Sequence, residues 1–371
     1  MTRHYLDHAS TSPLRPEARR ALVDALGAAG GDPGRLHAEG LEARVRLETA
    51  REQVAELLGA RPREVVLTSG ATESITAACW GAAGRGDHQV LTAVEHSAVT
   101  ASAGRHGEVT VVGVDGLGRV DPEAVRAALR PDTSVVHVQW GNHEVGTTQP
   151  VAAVVEAVRD HPALVHVDAA QAVGHVPVAF RELGADLLSV SGHKWGAPAG
   201  TGVLLVRRGL RLDPLLVGGD QERARRAGLE PVAALAGLGA AAAALTGPVL
   251  ATEEAEARRL TDRVLAGVAD LDGVRVHGDP DERLPHLVCL GVDDVEPQAV
   301  LLGLDRAGVA CHSGSACSSE ALEPSPTLAA MGVDALRSLR VSVGWSTTDA
   351  DVDALLGALP EVLAGLRVLR R

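Results

Sequence analysis

Of the 35 lysines and arginines in this 371-residue chain, Lys194 is the single lysine. It lies in Asp186-Leu-Leu-Ser-Val-Ser191-Gly-His193-Lys194-Trp195-Gly196, where the apolar run Leu187 to Val190 gives way to small polar residues. Elsewhere the chain uses arginine for positive charge. Arginine cannot replace lysine in imine formation with an aldehyde, because that reaction needs a primary amine that can lose its proton. A lone lysine at a strand end is therefore a candidate Schiff-base nitrogen, weighed against the chance survival of one surface residue.

The aldehyde cofactor that such a lysine holds is pyridoxal 5'-phosphate (PLP), which asks for an acid at its ring nitrogen, a flat group on its ring and donors for its phosphate. Asp168 ends the run Leu-Val-His-Val-Asp and could keep a pyridinium protonated; as a bare feature it reads equally as a helix N-cap. Gln171, three residues on, could reach the ring hydroxyl. Thr68-Ser-Gly-Ala71-Thr72-Glu joins a strand to a helix, so the backbone N–H of Ala71 and its neighbours and the Thr72 hydroxyl form a candidate anion cup. Ser191 and His193 could add donors to the same phosphate. His96, just past another strand, could stack on the ring and move protons.

A second centre is Gly308-Val-Ala-Cys311-His-Ser-Gly-Ser-Ala-Cys317-Ser-Ser. Small residues surround Cys317 without apolar periodicity, which predicts a mobile loop. About ten residues of slack extend by up to ~30 Å, so the thiol could travel into a cleft. A free thiol with a pKa of about 8.5 is only a few per cent thiolate at neutral pH and needs a base or cation nearby. Cys79 and Cys289 lie in apolar runs and read as packing residues, as does Cys311.

The elements that must position these groups follow from periodicity. Valine- or leucine-rich runs appear at Val65–Thr68, Val90–Thr92, Val109–Val114, Val135–Trp140, Leu164–Asp168, Leu187–Ser191 and Val203–Val206, with helix-length segments such as Thr72–Ala83, Pro122–Leu129 and Val151–Arg159 between most of them. Apolar strands without alternation, joined by helical crossovers, predict an α/β fold with a mostly parallel sheet of seven strands covered on both faces. Each candidate site residue follows a strand's carboxyl end, where such sheets bind ligands. Helical spacing covers Pro231 to Leu271. Strands Leu287–Val292 and Leu339–Val343 then alternate with helices Pro297–Ala307 and Asp349–Leu359, a smaller α+β unit. The expected division is a large domain over 15–255 and a small domain from 1–14 and 256–371 that carries the Cys317 loop. Thr348 with Asp351 predicts a capping box for the last helix.

Aromatics are 2% of the chain and the net charge is −13. The core must be built from Ala, Val and Leu, and the acidity argues against nucleic acid or an anionic membrane as a partner. The apolar stretch Val232 to Leu245 is too short to span a bilayer and reads as a buried helix. No signal peptide is visible, and the four cysteines contain no CxxC pair, so neither a metal site nor a disulfide framework is expected. A cytoplasmic, soluble protein is the expectation.

Taken together these residues resemble the cysteine desulfurase family, PLP enzymes with the class V aminotransferase fold (fold type I). The resemblance runs through Tyr5-Leu-Asp-His-Ala-Ser-Thr, Ser69-Gly-Ala-Thr72-Glu, Glu95-His96, Glu144-Val-Gly-Thr-Thr-Gln-Pro, His166-Val-Asp168-Ala-Ala-Gln171, Ser191-Gly-His193-Lys194, Gly218-Gly, Ser313-Gly-Ser-Ala-Cys317-Ser-Ser and Leu339-Arg340-Val-Ser-Val-Gly. It implies that Lys194 binds PLP covalently, that Asp168 pairs with the pyridinium and that His96 stacks on the ring. Thr72, Ser191 and His193 would hold the phosphate and Arg340 the substrate carboxylate. Cys317 would take sulfur from L-cysteine as a persulfide, release L-alanine and pass the sulfur to an acceptor protein. A homodimer is implied as well.

Three departures stand out. The family's Asn-Asn-Glu becomes Asn142-His143-Glu144, which places His143 at a cofactor and substrate contact. Its Gly-Gly-Gly becomes Gly218-Gly-Asp220, and its Arg-Ser-Gly-Thr becomes Arg226-Ala-Gly-Leu229, which removes a hydroxyl that serves the partner subunit's phosphate. A selenocysteine lyase or a pathway-specific C–S lyase is the alternative within PLP chemistry. A PLP-free scaffold for sulfur-carrier proteins is the alternative of another class.

Overall fold

The computed structural model describes residues 2–28, 30–313 and 324–369. Its strands are β1 (His4–Tyr5), β2 (Val65–Thr68), β3 (His88–Thr92), β4 (Glu108–Val112), β5 (Thr133–Gln139), β6 (Leu164–Asp168), β7 (Leu187–Ser191), β8 (Gly202–Val206), β9 (Val274–His277), β10 (Leu287–Val292), β11 (Val309–Ala310) and β12 (Ser338–Ser342). Seven form one sheet in the order β2-β8-β7-β6-β5-β3-β4. Only β8 runs antiparallel to its neighbours within that sheet.

The reason these strands lack alternation is visible in the two clusters they feed. Val65, Leu67, Val136, Val138, Val165, Val167, Leu188, Val190, Val203 and Leu205 face the helices Pro16–Gly27, Ala38–Leu57 and Val232–Ala244. The intervening Val66, Val135, Leu164, Leu187, Leu204 and Val206 face the helix Ala71–Ala83. Both faces are dry, so both parities of each strand are apolar.

Register then aligns the strand ends that matter. Thr68 and Ser191 both pair with Gly202. Gln139, Asp168 and Ser189 pair in a row across β5, β6 and β7. A side chain at Gly202 would put its Cβ 2.4 Å from the Cα of Gly70. The glycine lets the Ser69–Gly70 turn close over the sheet edge beside the lysine strand.

The second core surrounds the antiparallel strands β9, β10 and β12, with Leu260, Val264, Leu290, Val300, Leu304, Val341, Leu355 and Leu359 at its centre. The segment before residue 14 is stitched to it, since β1 pairs with β11 and Asp7 bridges Ser342. The helix Pro248–Val268 connects the two cores, with Leu250 in the first and Ala257 in the second.

Three local expectations are corrected. The helical stretch after Pro231 is two helices, Val232–Ala244 and Pro248–Val268, broken at Gly247, whose φ is 66°. The last helix does not stop before Pro360 but continues through it to Leu369. A proline inside a helix forfeits one backbone bond, yet Leu355, Leu359 and Leu363 are all buried, and that packing holds the segment helical across it. At its start the capping box is half formed. Asp351 accepts the Thr348 N–H at 2.8 Å, while the Thr348 hydroxyl donates to the same carboxylate.

Candidate active site

Strand β7 ends at Ser191, and the chain turns through a short 3-10 segment, Gly192–Trp195, into left-handed Gly196. Trp195 is buried and anchors the turn, so Lys194 projects into a cavity of about 570 Å³ at the carboxyl edge of the large sheet. Its amine donates to the Ala9 carbonyl at 2.5 Å. Burial, followed by the Arg340 charge, lowers the pKa of Lys194 to about 8, against the opposing pull of Asp7 and Asp168. About a fifth of the amine is therefore neutral near pH 7.4, far more than for an ordinary lysine, and that is the form that attacks a carbonyl.

Asp168 closes β6 in the same cavity. Its carboxylate accepts the Ala170 N–H at 3.0 Å and has no ion-pair partner among the described residues. Burial raises its pKa, opposed by His96 and Lys194. A buried acid without its own cation is the seat a protonated ring nitrogen would fill. Gln171 also lines the cavity, with its amide donating to the Ala9 carbonyl at 2.8 Å.

The turn Ser69–Thr72 forms the opposite wall. Gly70 precedes the helix Ala71–Ala83, leaving the first helical N–H groups of Ala71 and Thr72 directed at the cavity, with Ser191 and His193 across from them. Glu73 ties the turn down: it accepts the Ser69 N–H at 2.9 Å and holds Arg226 through Nε at 2.9 Å. Burial and the neighbouring Lys194 charge depress the His193 pKa to about 4. His193 is thus a neutral hydrogen-bonding group at this wall.

His96 caps the helix Ser97–Ala103, its Nδ1 accepting the Ala98 N–H at 3.1 Å. Nδ1 is therefore unprotonated and the ring carries its proton on Nε2. His143 stands edge-on to it, with ring centroids 5.1 Å apart. Burial, then His96, Arg340 and Lys194, hold His143 well below the usual histidine range. Its Nδ1 is buried without a hydrogen bond among the described residues, as is Nε of Arg340. Arg340 reaches the cavity from β12. It donates to the His143 carbonyl at 2.7 Å, to Asp7 at 3.0 Å and to Ser10 at 2.7 Å.

All the candidate site residues within the described part thus line one cavity: Ala71, Thr72, His96, His143, Asp168, Gln171, Ser191, His193, Lys194 and Arg340. Cys317 lies outside the described residues. The other cysteines behave as packing groups. Burial pushes the Cys79 thiol up to about 12 and raises Cys289 and Cys311 strongly. Sequence reasoning missed Ala9, Ser10, Gln139 and His312 in the cavity wall. The motif holding Ala9 was visible, but its contribution is a backbone carbonyl, which residue type does not announce.

The cavity fits PLP. It offers a partly neutral amine for an aldehyde, a buried carboxylate with no ion-pair partner among the described residues for a ring nitrogen, and a helix start with a hydroxyl for a phosphate.

The family model for aminotransferase class-V matches residues 4–355. A cysteine desulfurase of Gluconacetobacter diazotrophicus is 42% identical over 377 residues, covering 98% of this chain and 94% of its own. A solved NifS-like protein superposes with a TM-score of 0.91 at 29% identity, covering 98% of this chain and all of its own. A structure described as SspA in complex with cysteine has a TM-score of 0.82 at 27% identity, covering 93% of this chain and all of its own.

Proposed function

Because the chain belongs to the class-V aminotransferase family, we infer that it is a PLP-dependent cysteine desulfurase that converts L-cysteine to L-alanine. The observation that carries this reading is the single lysine, its amine buried and partly neutral, in one cavity with Asp168 and Arg340. The family's dependence on PLP sets aside the cofactor-free scaffold.

PLP, when bound, supplies an electron sink that stabilises negative charge on the substrate. In the proposed assignment Lys194 holds it covalently, Asp168 keeps its ring nitrogen protonated, and Ala71, Thr72, Ser191 and His193 hold its phosphate. Gln171 donates to its ring oxygen. His96, fixed as the Nε2–H tautomer, would stack on the cofactor and could move a proton from Nε2. Arg340 neutralises the substrate carboxylate; its guanidinium is already aimed by Asp7, Ser10 and the His143 carbonyl, and its Nε–H has no partner among the described residues. His143 walls the substrate side without bringing charge, because burial keeps it neutral. In the proposed two-domain division, 15–255 holds the cofactor, and 1–14 with 256–371 supplies Arg340 and the Cys317 segment.

Cys317 is the proposed nucleophile. Its thiolate attacks the substrate sulfur and the carbon–sulfur bond breaks; the carbon keeps the electron pair and takes a proton to give alanine. Sulfur is left on Cys317 as a persulfide, to be passed to an acceptor protein. The strongly raised thiols of Cys79, Cys289 and Cys311 support this choice, since each is almost wholly protonated at neutral pH. Cys317→Ala is expected to keep its PLP absorbance while alanine release from L-cysteine falls at least a hundredfold. Alanine release at the wild-type rate would instead favour a C–S lyase that works without this thiol.

A homodimer is proposed on the exposure of Leu216, Val217 and Leu229, at 40%, 78% and 63%, in the segment that carries Arg226 to the phosphate turn. Analytical ultracentrifugation is expected to give twice the chain mass. A single-chain mass at micromolar concentration would refute it.

A further inference from the structure

Two imidazoles that the chemistry above does not use stack behind the cavity. His175 follows the turn that bears Asp168 and Gln171, and His286 immediately precedes β10 in the second core. Their ring centroids are 3.6 Å apart and their planes 12° from parallel. His286 is fully buried and His175 nearly so.

The hydrogen bonds settle which atoms carry protons. A carbonyl oxygen only accepts, so the Gln171 atom 2.8 Å from the Ala9 carbonyl is its NH2. The other end of that amide, Oε1, then faces His286 Nε2 at 3.3 Å, and Nε2 must bear the hydrogen. His286 Nδ1 is left bare, in agreement with its burial without a hydrogen bond among the described residues. By the same logic His175 donates from Nε2 to the Lys194 carbonyl at 3.2 Å. The Ala9 carbonyl meanwhile accepts from both the Gln171 amide and the Lys194 amine.

Turning the Gln171 amide over would face oxygen to the Ala9 oxygen and NH2 to the His286 N–H. Each would be a buried polar mismatch. Burial also keeps both rings neutral, with His175 lowered to about 3 and His286 well below its usual range, so this donor pattern persists throughout the neutral pH region.

We propose that His286 is a positioning residue of this site: its Nε2–H pins the Gln171 amide so that NH2 faces Ala9 and the cavity, and thereby sets the carbonyl on which Lys194 rests its amine. The proposal rests on the PLP reading of the cavity. Gln171 keeps its second N–H for the cofactor only while its oxygen is held elsewhere, and His286 is what holds it.

The test uses the PLP-loaded protein and two variants. His286→Phe keeps a ring to stack on His175 but removes the donor. His286→Gln returns an N–H at about the reach of Nε2. Two readouts independent of turnover are the PLP dissociation constant by equilibrium dialysis and the pH midpoint of the bound cofactor's visible absorption band. We expect His286→Phe to weaken PLP about tenfold, the worth of one hydrogen bond to a buried acceptor, and to move the absorption midpoint by half a pH unit or more. His286→Gln should bring both back toward wild type. Unchanged values in His286→Phe, or a His286→Gln protein as displaced as His286→Phe, overturn the proposal. If His286→Phe does not fold, His286→Gln is compared with His286→Asn, whose amide falls short of Gln171, and equal values in those two overturn it. A wild-type protein that binds no PLP would overturn the cofactor reading itself, whereas unchanged variants of a PLP-binding protein overturn only the role of His286.

Discussion

Lys194 rests its amine on the Ala9 carbonyl in a largely enclosed cavity, where burial makes its charge costlier to keep than in water. Its pKa of about 8 makes the amine a titrating group at working pH, and loading with PLP should report it. Below pH 8 the neutral fraction falls tenfold per unit, so the rate at which the apo protein takes up PLP should fall with it and level off above pH 8. Stopped-flow absorbance between pH 6 and pH 9.5 measures this. A rate still rising tenfold per unit up to pH 9.5 would place the amine near its ordinary value and remove burial as the activating cause. The same economy explains the neighbouring imidazoles: His96, His143 and His193 are all depressed chiefly by burial, so the site keeps hydrogen-bonding rings without adding positive charge beside Arg340 and Lys194.

The segment 220–226 shows how a strained element serves the site from behind. Glu222, Arg223 and Ala224 hold φ of 49°, 59° and 58°, a left-handed run that costs each L-residue about 1 kcal/mol or more. What holds it is the fully buried Glu222 carboxylate. It accepts Arg51 Nη1 at 2.6 Å and Nη2 at 2.7 Å, and the Leu67 N–H at 2.8 Å. The clamp thus ties the helix Ala38–Leu57, the end of β2 and the segment that brings Arg226 to Glu73 and the phosphate turn. Removing the carboxylate takes away the bidentate partner of Arg51, whose side chain is 2% exposed, and leaves it Glu48 at 3.1 Å and the Val65 carbonyl at 3.0 Å. Glu222→Ala should lose about 3 kcal/mol of stability, the cost of breaking a buried bidentate ion pair. Urea unfolding at pH 7.5 reads it, and a loss under 1 kcal/mol would mean that the left-handed turn holds without its clamp.

Across the whole molecule, buried histidines dominate the response to acid. His137 and His166 share a hydrogen bond at 2.9 Å inside the large sheet, with His137 lowered to about 3 by burial and His166 also well below its usual range. His8 is lowered to about 4 and His175 to about 3, both mainly by burial. A base whose folded pKa is depressed is protonated first in the unfolded chain. Its contribution is complete above the unfolded value of about 6.5 and is lost as pH falls from there toward the folded value. Glu95, raised to about 8 by burial, works in the opposite sense, as do Asp168, Glu144 and Glu230, which burial also raises, but they oppose a larger set of depressed imidazoles. Unfolding free energy should therefore decline from pH 6.5 to pH 4.5, by about 1.4 kcal/mol per pH unit for each such histidine that titrates only on unfolding. Urea midpoints across that range provide the check, and a flat profile would show that the imidazoles protonate in place.

What the amino-acid sequence determined by itself was local. A lysine found once, apolar runs of strand length with both parities filled, and short polar turns after them were enough to place the large sheet and eight of the cavity residues; His143 and Arg340 came only from the family resemblance of their motifs. Those signals depend on residue type and on periods of two or 3.6, which neighbours in the chain carry. Cys317 also belongs to that reading, as a thiol in small-residue surroundings. The tertiary structure decided everything that joins distant segments: the Ala9 carbonyl beneath Lys194, the pairing of Arg340 with Asp7, the stack of His175 on His286, and a last helix that runs through Pro360 because Leu355, Leu359 and Leu363 are buried on one side. Backbone carbonyls carry no residue identity, and the worth of a contact between residues 175 and 286 depends on how two cores dock. Packing sets those, and packing is a property of the folded chain.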